Sequence, residues 1–443
     1  MHRLLQGEVG SGKTIVALRA MLQVVDAGRQ AALLAPTEVL AAQHARSLSA
    51  MLGDLARAGE LGAAEHATRV TLLTGSLPAA ARRQALLDAA SGAAGIVVGT
   101  HALIQDRVSF ADLGLVVVDE QHRFGVEQRD ALRARAAAGT SPHLLVMTAT
   151  PIPRTVAMTV FGDLEVSSLR ELPRGRSPIA TSVVPVAEKP GWLDRAWQRV
   201  TEEVAAGRQA YVVCPRIGEG PESDGADDPA PSGDAEDEQR APLAVLDVAP
   251  QLVEGPLAGL RVGVLHGRLP AEEKDGVMRA FGAGELDVLV ATTVVEVGVD
   301  VPNATVMVVM DAHRFGISQL HQLRGRVGRG RHPGLCLLVT DSPPGSGSRQ
   351  RLDAVAATTD GFELARLDLE LRREGDVLGA AQSGRRSGLR LLSLLADGDL
   401  IAEAREQAQS LVAADPGLGG HPELARLAAD VLDEERAGFL EKA

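Results

Sequence analysis

The chain has 443 residues, of which 45% are hydrophobic, so it is long enough for two or three globular domains. It contains no run of about 18 apolar residues and no signal-peptide pattern, which excludes a membrane-spanning helix and predicts a cytoplasmic protein. The formal net charge of −13 argues against a nucleic-acid partner, but nine of the acidic residues fall within residues 218–242. That segment is predicted to be a disordered insert, and the remainder is only mildly acidic.

The first predicted feature is a phosphate-binding loop between a short strand over residues 3–6 and a helix over residues 15–25. The residues that fit the pattern G-x-x-x-x-G-K-[ST] are Gly7, Glu8, Val9, Gly10, Ser11, Gly12, Lys13 and Thr14. The glycines allow backbone N–H groups to surround a triphosphate, Lys13 is suited to its β- and γ-phosphates, and the Thr14 hydroxyl is suited to Mg²⁺. The alternative is a chance glycine-rich turn, which the flanking strand and helix disfavour.

Apolar runs without polar alternation follow this loop and alternate with helical stretches, which is typical of strands buried on both faces of a parallel sheet. The predicted strands are residues 31–36, 69–74, 95–100, 115–120 and 143–148. Together with the loop they predict a doubly wound α/β domain over residues 1–170. A Pro- and Arg-rich linker over residues 171–190 is predicted to follow.

A second series of alternating strands and helices predicts another α/β domain over residues 191–342. Its predicted strands are residues 210–214, 261–265, 286–291, 305–310 and 334–339. Because this half carries no phosphate loop of its own, we expect the nucleotide to lie between the two domains. The two cysteines, Cys214 and Cys336, lie in its apolar runs without metal-ligand spacing, which predicts buried thiols. Residues 343–443 are predicted to form a helical appendage.

A predicted strand of the first domain ends in two carboxylates, Asp119 and Glu120. Unpaired charges at the end of a buried strand are costly, so a cation or a ligand is expected beside them. Asp119 is suited to hold Mg²⁺, mostly through water, and Glu120 is placed to orient and deprotonate an attacking water. The alternative is an ordinary acidic turn, which a phosphate loop at this separation disfavours.

A Gly-rich segment of the second domain, residues 322–330, contains Arg324, Arg326 and Arg329. Three guanidinium groups so close together repel one another unless anions face them. A γ-phosphate across the cleft is such an anion, so one or two of these arginines are predicted to complete the nucleotide site from the second domain. The alternatives are a solvated arginine cluster and a cluster that binds nucleic-acid phosphates only.

These segments, in this order, resemble the motor of superfamily 2 helicases and translocases. The matching segments are motif I (7–14), motif Ia (35–38), a strand-contact element (99–101), motif II (119–122), motif III (148–151), motif V (290–300) and motif VI (322–329). Residues 119–125 and 148–155 are similar to the RecG branch of that superfamily. Residues 368–379 and 382–384 resemble the translocation motif that this branch shares with transcription-repair coupling factors.

The resemblance implies two tandem RecA-like domains with ATP and Mg²⁺ as cofactors. The implied catalytic residues are Lys13, Glu120, Gln322, Arg326 and Arg329, with Thr14 and Asp119 as metal ligands and Glu296 and Gly298 beside the nucleotide. The implied DNA-backbone contacts are Pro36, Thr37, Gly99, Thr100 and Thr293, and the implied coupling residues are His122, Thr148, Thr150, Arg372 and Gln382.

The resemblance further implies an ATP-dependent DNA helicase that acts on branched double-stranded DNA, such as forks and Holliday junctions, in recombination and repair. We expect a nucleoid-associated, monomeric motor rather than a membrane protein. RecG-type proteins carry a wedge domain ahead of the motor, so we expect this chain to be a fragment or a truncated product with poor fork selectivity. The alternatives are a transcription-repair coupling translocase, an RNA helicase, and a truncated chain that binds nucleotide without doing work.

Overall fold

The computed structural model describes residues 1–100, 103, 108–119, 142–149, 165–170, 178–218, 242–296, 301–371 and 397–429. Within these residues the chain forms two α/β units, which we call lobe 1 (described residues up to 170) and lobe 2 (described residues from 178 to 342). Helices follow lobe 2. None of the described helices is long and apolar enough to cross a membrane.

Lobe 1 is built on a parallel sheet with the strand order β3-β4-β2-β5-β6-β1-β7. Its strands are β1 (His2–Gly7), β2 (Gln30–Leu34), β3 (Val70–Leu73), β4 (Ile96–Gly99), β5 (Leu113–Asp119), β6 (His143–Thr148) and β7 (Glu165–Leu169). Its described helices are α1 (Lys13–Asp26), α2 (Glu38–Leu52) and α3 (Ala79–Ser91). Val116 and Val117 are both fully buried but belong to hydrophobic clusters on opposite faces of the sheet, which explains the continuous apolar run of β5.

Lobe 2 repeats this plan with the strand order β10-β11-β9-β12-β13-β8, again all parallel. Its strands are β8 (Ile179–Pro185), β9 (Gln209–Val213), β10 (Val262–Leu265), β11 (Val288–Ala291), β12 (Ala304–Val309) and β13 (Gly334–Thr340). Its described helices are α4 (Gly191–Ala205), α5 (Val245–Glu254), α6 (Ala271–Gly282) and α7 (Ile317–Arg324). Both free cysteines are buried in this lobe, as predicted. The predicted fold class, two tandem doubly wound parallel-sheet domains, is confirmed.

Two strands were not predicted from the sequence, and one of them corrects a prediction. β7 pairs with β1 at one edge of the first sheet, and β8 pairs with β13 at one edge of the second. β8 lies inside residues 171–190, so the linker prediction is wrong for residues 179–185. All residues of β7 are exposed or half-buried, and β8 alternates between the two classes until its last two residues, which are buried. Both strands contain Ser or Thr, so they lack the continuous apolar run that marks the central strands.

Three described helices follow lobe 2: α8 (Gly347–Ala357), α9 (Gly361–Leu371) and α10 (Gly398–Ala414), and residues 422–429 are also helical. The predicted helical appendage is therefore confirmed for the described residues. Helices α8 and α9 pack against α7, and Leu352, Val355 and Leu364 belong to the same hydrophobic cluster as the core of lobe 2. These two helices are thus extensions of lobe 2.

Candidate nucleotide site and nucleic-acid interface

The predicted phosphate loop connects β1 to α1 and has a backbone that requires glycine. Gly10 and Gly12 have φ angles of 85° and 90°, which L side chains rarely adopt. A Cβ atom at Gly7 would lie 2.6 Å from the Ser11 Oγ and 2.9 Å from the Leu169 carbonyl oxygen. Helix α1 begins at Lys13, and no side chain caps its first turn. An uncapped helix start that follows a glycine-rich loop is the arrangement that binds phosphate.

Two polar side chains of the loop fit a bound triphosphate. The Lys13 ammonium donates hydrogen bonds to the carbonyl oxygens of Gly7 (2.8 Å) and Glu8 (3.0 Å), so it lies over the loop. The Ser11 Oγ is buried and has no hydrogen-bond partner among the described residues. A buried hydroxyl without a partner is costly, and a phosphate oxygen would satisfy it. The loop therefore fits the predicted nucleotide.

The predicted metal ligand Asp119 is the last residue of β5, and its Oδ2 atom lies 2.8 Å from the Nε2 of His44 on α2. This histidine was not predicted from the sequence. Both side chains are mostly buried, so His44 orients the carboxylate. Among the described residues no group of His, Cys, Asp or Glu side chains is arranged to hold a metal alone. Mg²⁺ is usually held by one or two protein groups together with phosphate and water, and the Asp119 carboxylate at the end of β5 has the chemistry of such a ligand.

The predicted arginine segment begins at the carboxyl end of α7. Arg324 is almost fully buried and donates hydrogen bonds to the carbonyl oxygens of Val355 and Thr358, both at 2.7 Å. Its guanidinium is therefore held by α8 and the turn after it. Arg326 and Arg329 are half-buried, and the Arg329 Nε donates to the Gly325 carbonyl. The structure thus separates a buried arginine from the two that were predicted to act on the nucleotide.

The phosphate loop and the arginine segment are in direct contact across the cleft between the lobes. The Glu8 Oε2 lies 2.9 Å from the Nε2 of His321, the residue immediately before Gln322. A Cβ atom built on Gly325 of this segment would lie 3.6 Å from the Val9 side chain. Glu8 was predicted with the nucleotide-binding residues, but its carboxylate points to lobe 2, while its main-chain carbonyl contacts Lys13.

The predicted DNA contacts of lobe 1 come together at one edge of its sheet. Pro36 and Thr37 follow β2, Gly99 and Thr100 end or follow the neighbouring strand β4, and both strands run in the same direction. The Thr37 hydroxyl accepts a hydrogen bond from the Leu40 N–H and caps α2, while the Thr100 side chain is buried. In lobe 2, Thr293 is half-buried in a short helical turn, residues 293–296, after β11.

The remaining predicted residues are only partly within the described structure. Thr148 ends β6, is buried, and pairs in register with Gln6 of β1, one residue before the phosphate loop. Glu296 ends the helical turn that begins at Thr293. The other six predicted residues lie outside the described residues: Glu120, His122, Thr150, Gly298, Arg372 and Gln382. Helix α9 ends at Leu371, directly before Arg372.

Comparison with protein families gives three matches in chain order. Residues 2–159 match the DEAD/DEAH box helicase family, and residues 245–331 match the helicase conserved C-terminal domain. Residues 358–436 match domain 3, C-terminal, of the ATP-dependent DNA helicase RecG. The first two matches lie in lobe 1 and lobe 2 and show the RecA-like helicase fold that was predicted.

Curated relatives match the whole chain. The ATP-dependent DNA helicase RecG of Mycobacterium tuberculosis (strain H37Rv) is 60% identical over 443 residues, which is 100% of this chain and 58% of that protein. The Bacillus subtilis protein of the same name is 46% identical over 432 residues, 98% of this chain and 58% of the relative. The chain therefore spans less than two thirds of the length of these relatives.

Solved structures support the same assignment. A structure of RecG bound to a three-way DNA junction is 35% identical and has a TM-score of 0.65, covering 90% of this chain and 47% of that chain. Dbp5 from S. cerevisiae, bound to RNA and ADP BeF3, is 16% identical with a TM-score of 0.54 and shares the fold alone. The chain belongs to the RecG family of ATP-dependent DNA helicases, to whose motor and carboxyl-terminal part its residues correspond.

Proposed function

We propose that this chain is the motor of a RecG-type ATP-dependent DNA translocase, which couples Mg²⁺-dependent ATP hydrolysis to movement on branched duplex DNA. The observation that supports this proposal is the contact between Glu8 and His321. It joins the phosphate loop of lobe 1 to the arginine segment of lobe 2, so a nucleotide in the loop would be faced by groups from both lobes. Such a two-lobed site is what a motor driven by cleft closure requires.

In the proposed reaction, Lys13, Ser11 and the first N–H groups of α1 bind the phosphates. Thr14 and Asp119 would hold Mg²⁺, which supplies charge neutralisation at the phosphates, and His44 fixes the orientation of Asp119. Glu120 would orient the attacking water. Arg326 and Arg329 would stabilise the charge that develops on the transferred phosphoryl group from the opposite lobe.

The proposed DNA contacts are short hydroxyl side chains and loop N–H groups at Thr37, Gly99, Thr100 and Thr293, with Pro36 shaping the loop that presents Thr37. Groups of this kind hold phosphates without reading bases, so binding should be independent of sequence and should weaken strongly as salt rises. Branched DNA is the proposed substrate because a RecG structure with 35% identity is bound to a three-way junction. The division into residues 1–170, 178–342 (with β8 included) and 343–443, a monomeric motor and action at the nucleoid belong to the same proposal.

The decisive measurement is the ATP hydrolysis rate of the wild type and of Lys13→Ala, each with forked DNA, linear duplex, single-stranded RNA and no nucleic acid. We expect stimulation by DNA in the wild type and a loss of at least about 100-fold in Lys13→Ala, because a group that stabilises transition-state charge is removed. A matched control is Lys189→Ala. Lys189 follows β8, packs on the Trp192 ring at 4.0 Å and should be dispensable for hydrolysis.

Each other outcome of this measurement contradicts a part of the proposal. Equal, slow hydrolysis by the wild type and Lys13→Ala under every condition would show a chain that binds nucleotide without doing work. Stimulation by RNA but not by DNA would favour an RNA helicase. Stimulation by linear duplex with no added effect of a fork would leave a duplex translocase, as in transcription-repair coupling, and would remove the branched-DNA substrate.

A further inference from the structure

The Glu8 carboxylate is the one acidic side chain of the phosphate loop, and it is buried between the two lobes. Its Oε2 lies 2.9 Å from the His321 Nε2, and its Oε1 accepts a 2.7 Å hydrogen bond from the backbone N–H of Gly361. Gly361 is the first residue of α9. Both oxygens of one loop side chain are therefore bound to different helices of the other half of the molecule.

The tautomer of His321 follows from its contact with Arg324. The Nδ1 atom lies 2.7 Å from a guanidinium nitrogen of Arg324, and a guanidinium only donates hydrogen bonds. Nδ1 must therefore accept, and the imidazole proton resides on Nε2, from which it is donated to Glu8. The imidazole thus connects a buried carboxylate to a buried guanidinium, and the two charges compensate each other through it.

This arrangement serves a purpose beyond packing. A buried carboxylate needs a compensating charge, and Arg324 supplies it through His321. Glu8 also accepts a hydrogen bond from the Lys13 ammonium through its main-chain carbonyl, at 3.0 Å. Phosphate and this carbonyl compete for the same ammonium group, so nucleotide binding acts directly on the residue that holds the opposite lobe.

We propose that Glu8 is a positioning residue: through His321 it holds the arginine segment, with Arg326 and Arg329, at the distance from the phosphate loop that hydrolysis requires. Through Gly361 it ties the same loop to α9, which ends directly before Arg372. The inference rests on the proposed ATPase function and adds to it the residue that sets the geometry of the cleft.

The test is steady-state ATP hydrolysis by Glu8→Gln and Glu8→Ala in the presence of forked DNA, with the affinity for a fluorescent ATP analogue measured separately. Glutamine keeps one acceptor oxygen but presents an amide N–H₂ to a second donor, so one of the two contacts is lost. We expect kcat to fall about 10- to 100-fold while KM and the analogue affinity change less than about threefold, because the phosphate contacts are unchanged.

Histidine variants show whether the effect passes through His321. In His321→Gln the amide nitrogen takes the place of Nε2 and can donate to Glu8, so kcat should stay within about threefold of the wild type. His321→Ala should resemble Glu8→Ala, and the double variant should be no slower than either single variant, because both remove the same link. A purely structural role would lower the melting temperature without this selective and non-additive loss of kcat.

A matched control for a buried carboxylate is Glu203→Gln. Glu203 accepts hydrogen bonds from Thr305 and Arg208 inside lobe 2, far along the chain from both the loop and α7. This variant should lower thermal stability and leave kcat unchanged. If the wild type hydrolyses ATP and Lys13→Ala does not, but Glu8→Ala retains full kcat, the inference is wrong and the proposed function stands. If the wild type is itself inactive, both are wrong.

Discussion

Lobe 1 and lobe 2 share one topology, although only lobe 1 carries a phosphate loop. The order β3-β4-β2-β5-β6-β1 in the first sheet corresponds, position by position, to β10-β11-β9-β12-β13-β8 in the second. In this correspondence β8 takes the place of β1, next to β13 as β1 is next to β6. The two lobes therefore offer equivalent strand ends, and a nucleotide site depends on the loop that follows, not on the sheet.

The similarity between the two lobes extends to single residues. The tetrapeptide Ala-Gly-Arg-Gln occurs at residues 27–30 and again at residues 206–209, after α1 and after α4. Gly28 and Gly207 both have positive φ angles, 77° and 79°, which end the helices. Gln30 and Gln209 then begin β2 and β9, and each donates hydrogen bonds from its Nε2 to two carbonyl oxygens.

The loops after β1 and β8 differ in every property that phosphate binding needs. The lobe 1 loop has Gly10 and Gly12 at positive φ and ends in an uncapped helix at Lys13. The lobe 2 loop is five residues, 186–190, and Pro190 precedes α4. Proline provides no N–H group, and Lys189 is turned onto the Trp192 ring. Lobe 2 instead carries the arginine segment, which is proposed to complete the site of lobe 1.

The largest effect predicted from this comparison is that of Gly12→Ala. Gly12 has a φ angle of 90°, so an alanine would displace the backbone that faces the phosphates. We expect ATP hydrolysis to fall about 100-fold, since a displacement of about 1 Å in a catalytic loop has an effect of that size. The control is Gly28→Ala, which has a similar φ angle and no atom within 4 Å of its built Cβ.

Gly28→Ala should cost about 1 kcal/mol of stability, the strain of a left-handed residue, and leave the hydrolysis rate unchanged. Melting by circular dichroism and ATP hydrolysis at saturating DNA measure the two effects. A Gly12→Ala protein with normal hydrolysis would show that the glycine conformation of the loop is not what distinguishes lobe 1.

Most of the central sheet could be predicted from the sequence, because strands buried on both faces leave continuous apolar runs. The predicted and observed bounds of β5, β9 and β12 differ by one or two residues. The edge strands β7 and β8 are short and partly polar, so they lack the continuous apolar run from which the central strands were predicted. The repeated Ala-Gly-Arg-Gln was a signal that could have located β8, since it aligns the two lobes and leaves a missing counterpart of β1.

The phosphate loop could be predicted because its chemistry fixes a short spacing of residue types. The pairs His44–Asp119 and Glu8–His321 could not, since their members are 75 and 313 residues apart and meet only in the folded chain. Spacing also could not separate Arg324 from its neighbours. Its burial depends on α8 and the following turn, whose carbonyl oxygens it binds.

A smaller effect, on thermal stability, is expected from Gln30→Leu and Gln209→Leu. These variants test whether the equivalent glutamines stabilise the two lobes in the same way. Each substitution removes two hydrogen bonds to carbonyl oxygens, at a cost of about 2 kcal/mol. Gln30→Leu should cost more, because the Gln30 Oε1 accepts from two N–H groups, those of Ala111 and Asp112, whereas the Gln209 Oε1 accepts one long bond of 3.4 Å from Asn303. At about 2–4 °C per kcal/mol, both shifts are measurable by thermal melting.

Thiol labelling shows which lobe each variant weakens. Burial raises the pKa of Cys214 and of Cys336 to about 12, so both thiols in lobe 2 are protonated and shielded at pH 8. Gln209→Leu should therefore accelerate labelling of these thiols, and Gln30→Leu should not. Equal acceleration in both variants would show that the two lobes open as one unit and not separately.

The smallest predicted effect is on thermal stability and concerns two carboxylates that face each other from the two lobes, Glu38 and Asp275. Burial raises the pKa of Asp275 on α6 of lobe 2, and the Glu38 carboxylate of lobe 1 raises it further. A carboxyl group that binds its proton more tightly in the folded state contributes stability at low pH and loses it as the pH rises through its folded pKa. Asp275→Asn should therefore raise the melting temperature near pH 7 by about 2 °C, and the gain should shrink toward acidic pH.

Glu272→Gln, on the exposed side of the same helix, makes the same change in net charge and should give no such gain. In a Glu38→Gln background the gain from Asp275→Asn should be smaller. If the gain is equal in that background, the two carboxylates do not face each other in solution, and the burial of Asp275 alone explains its effect.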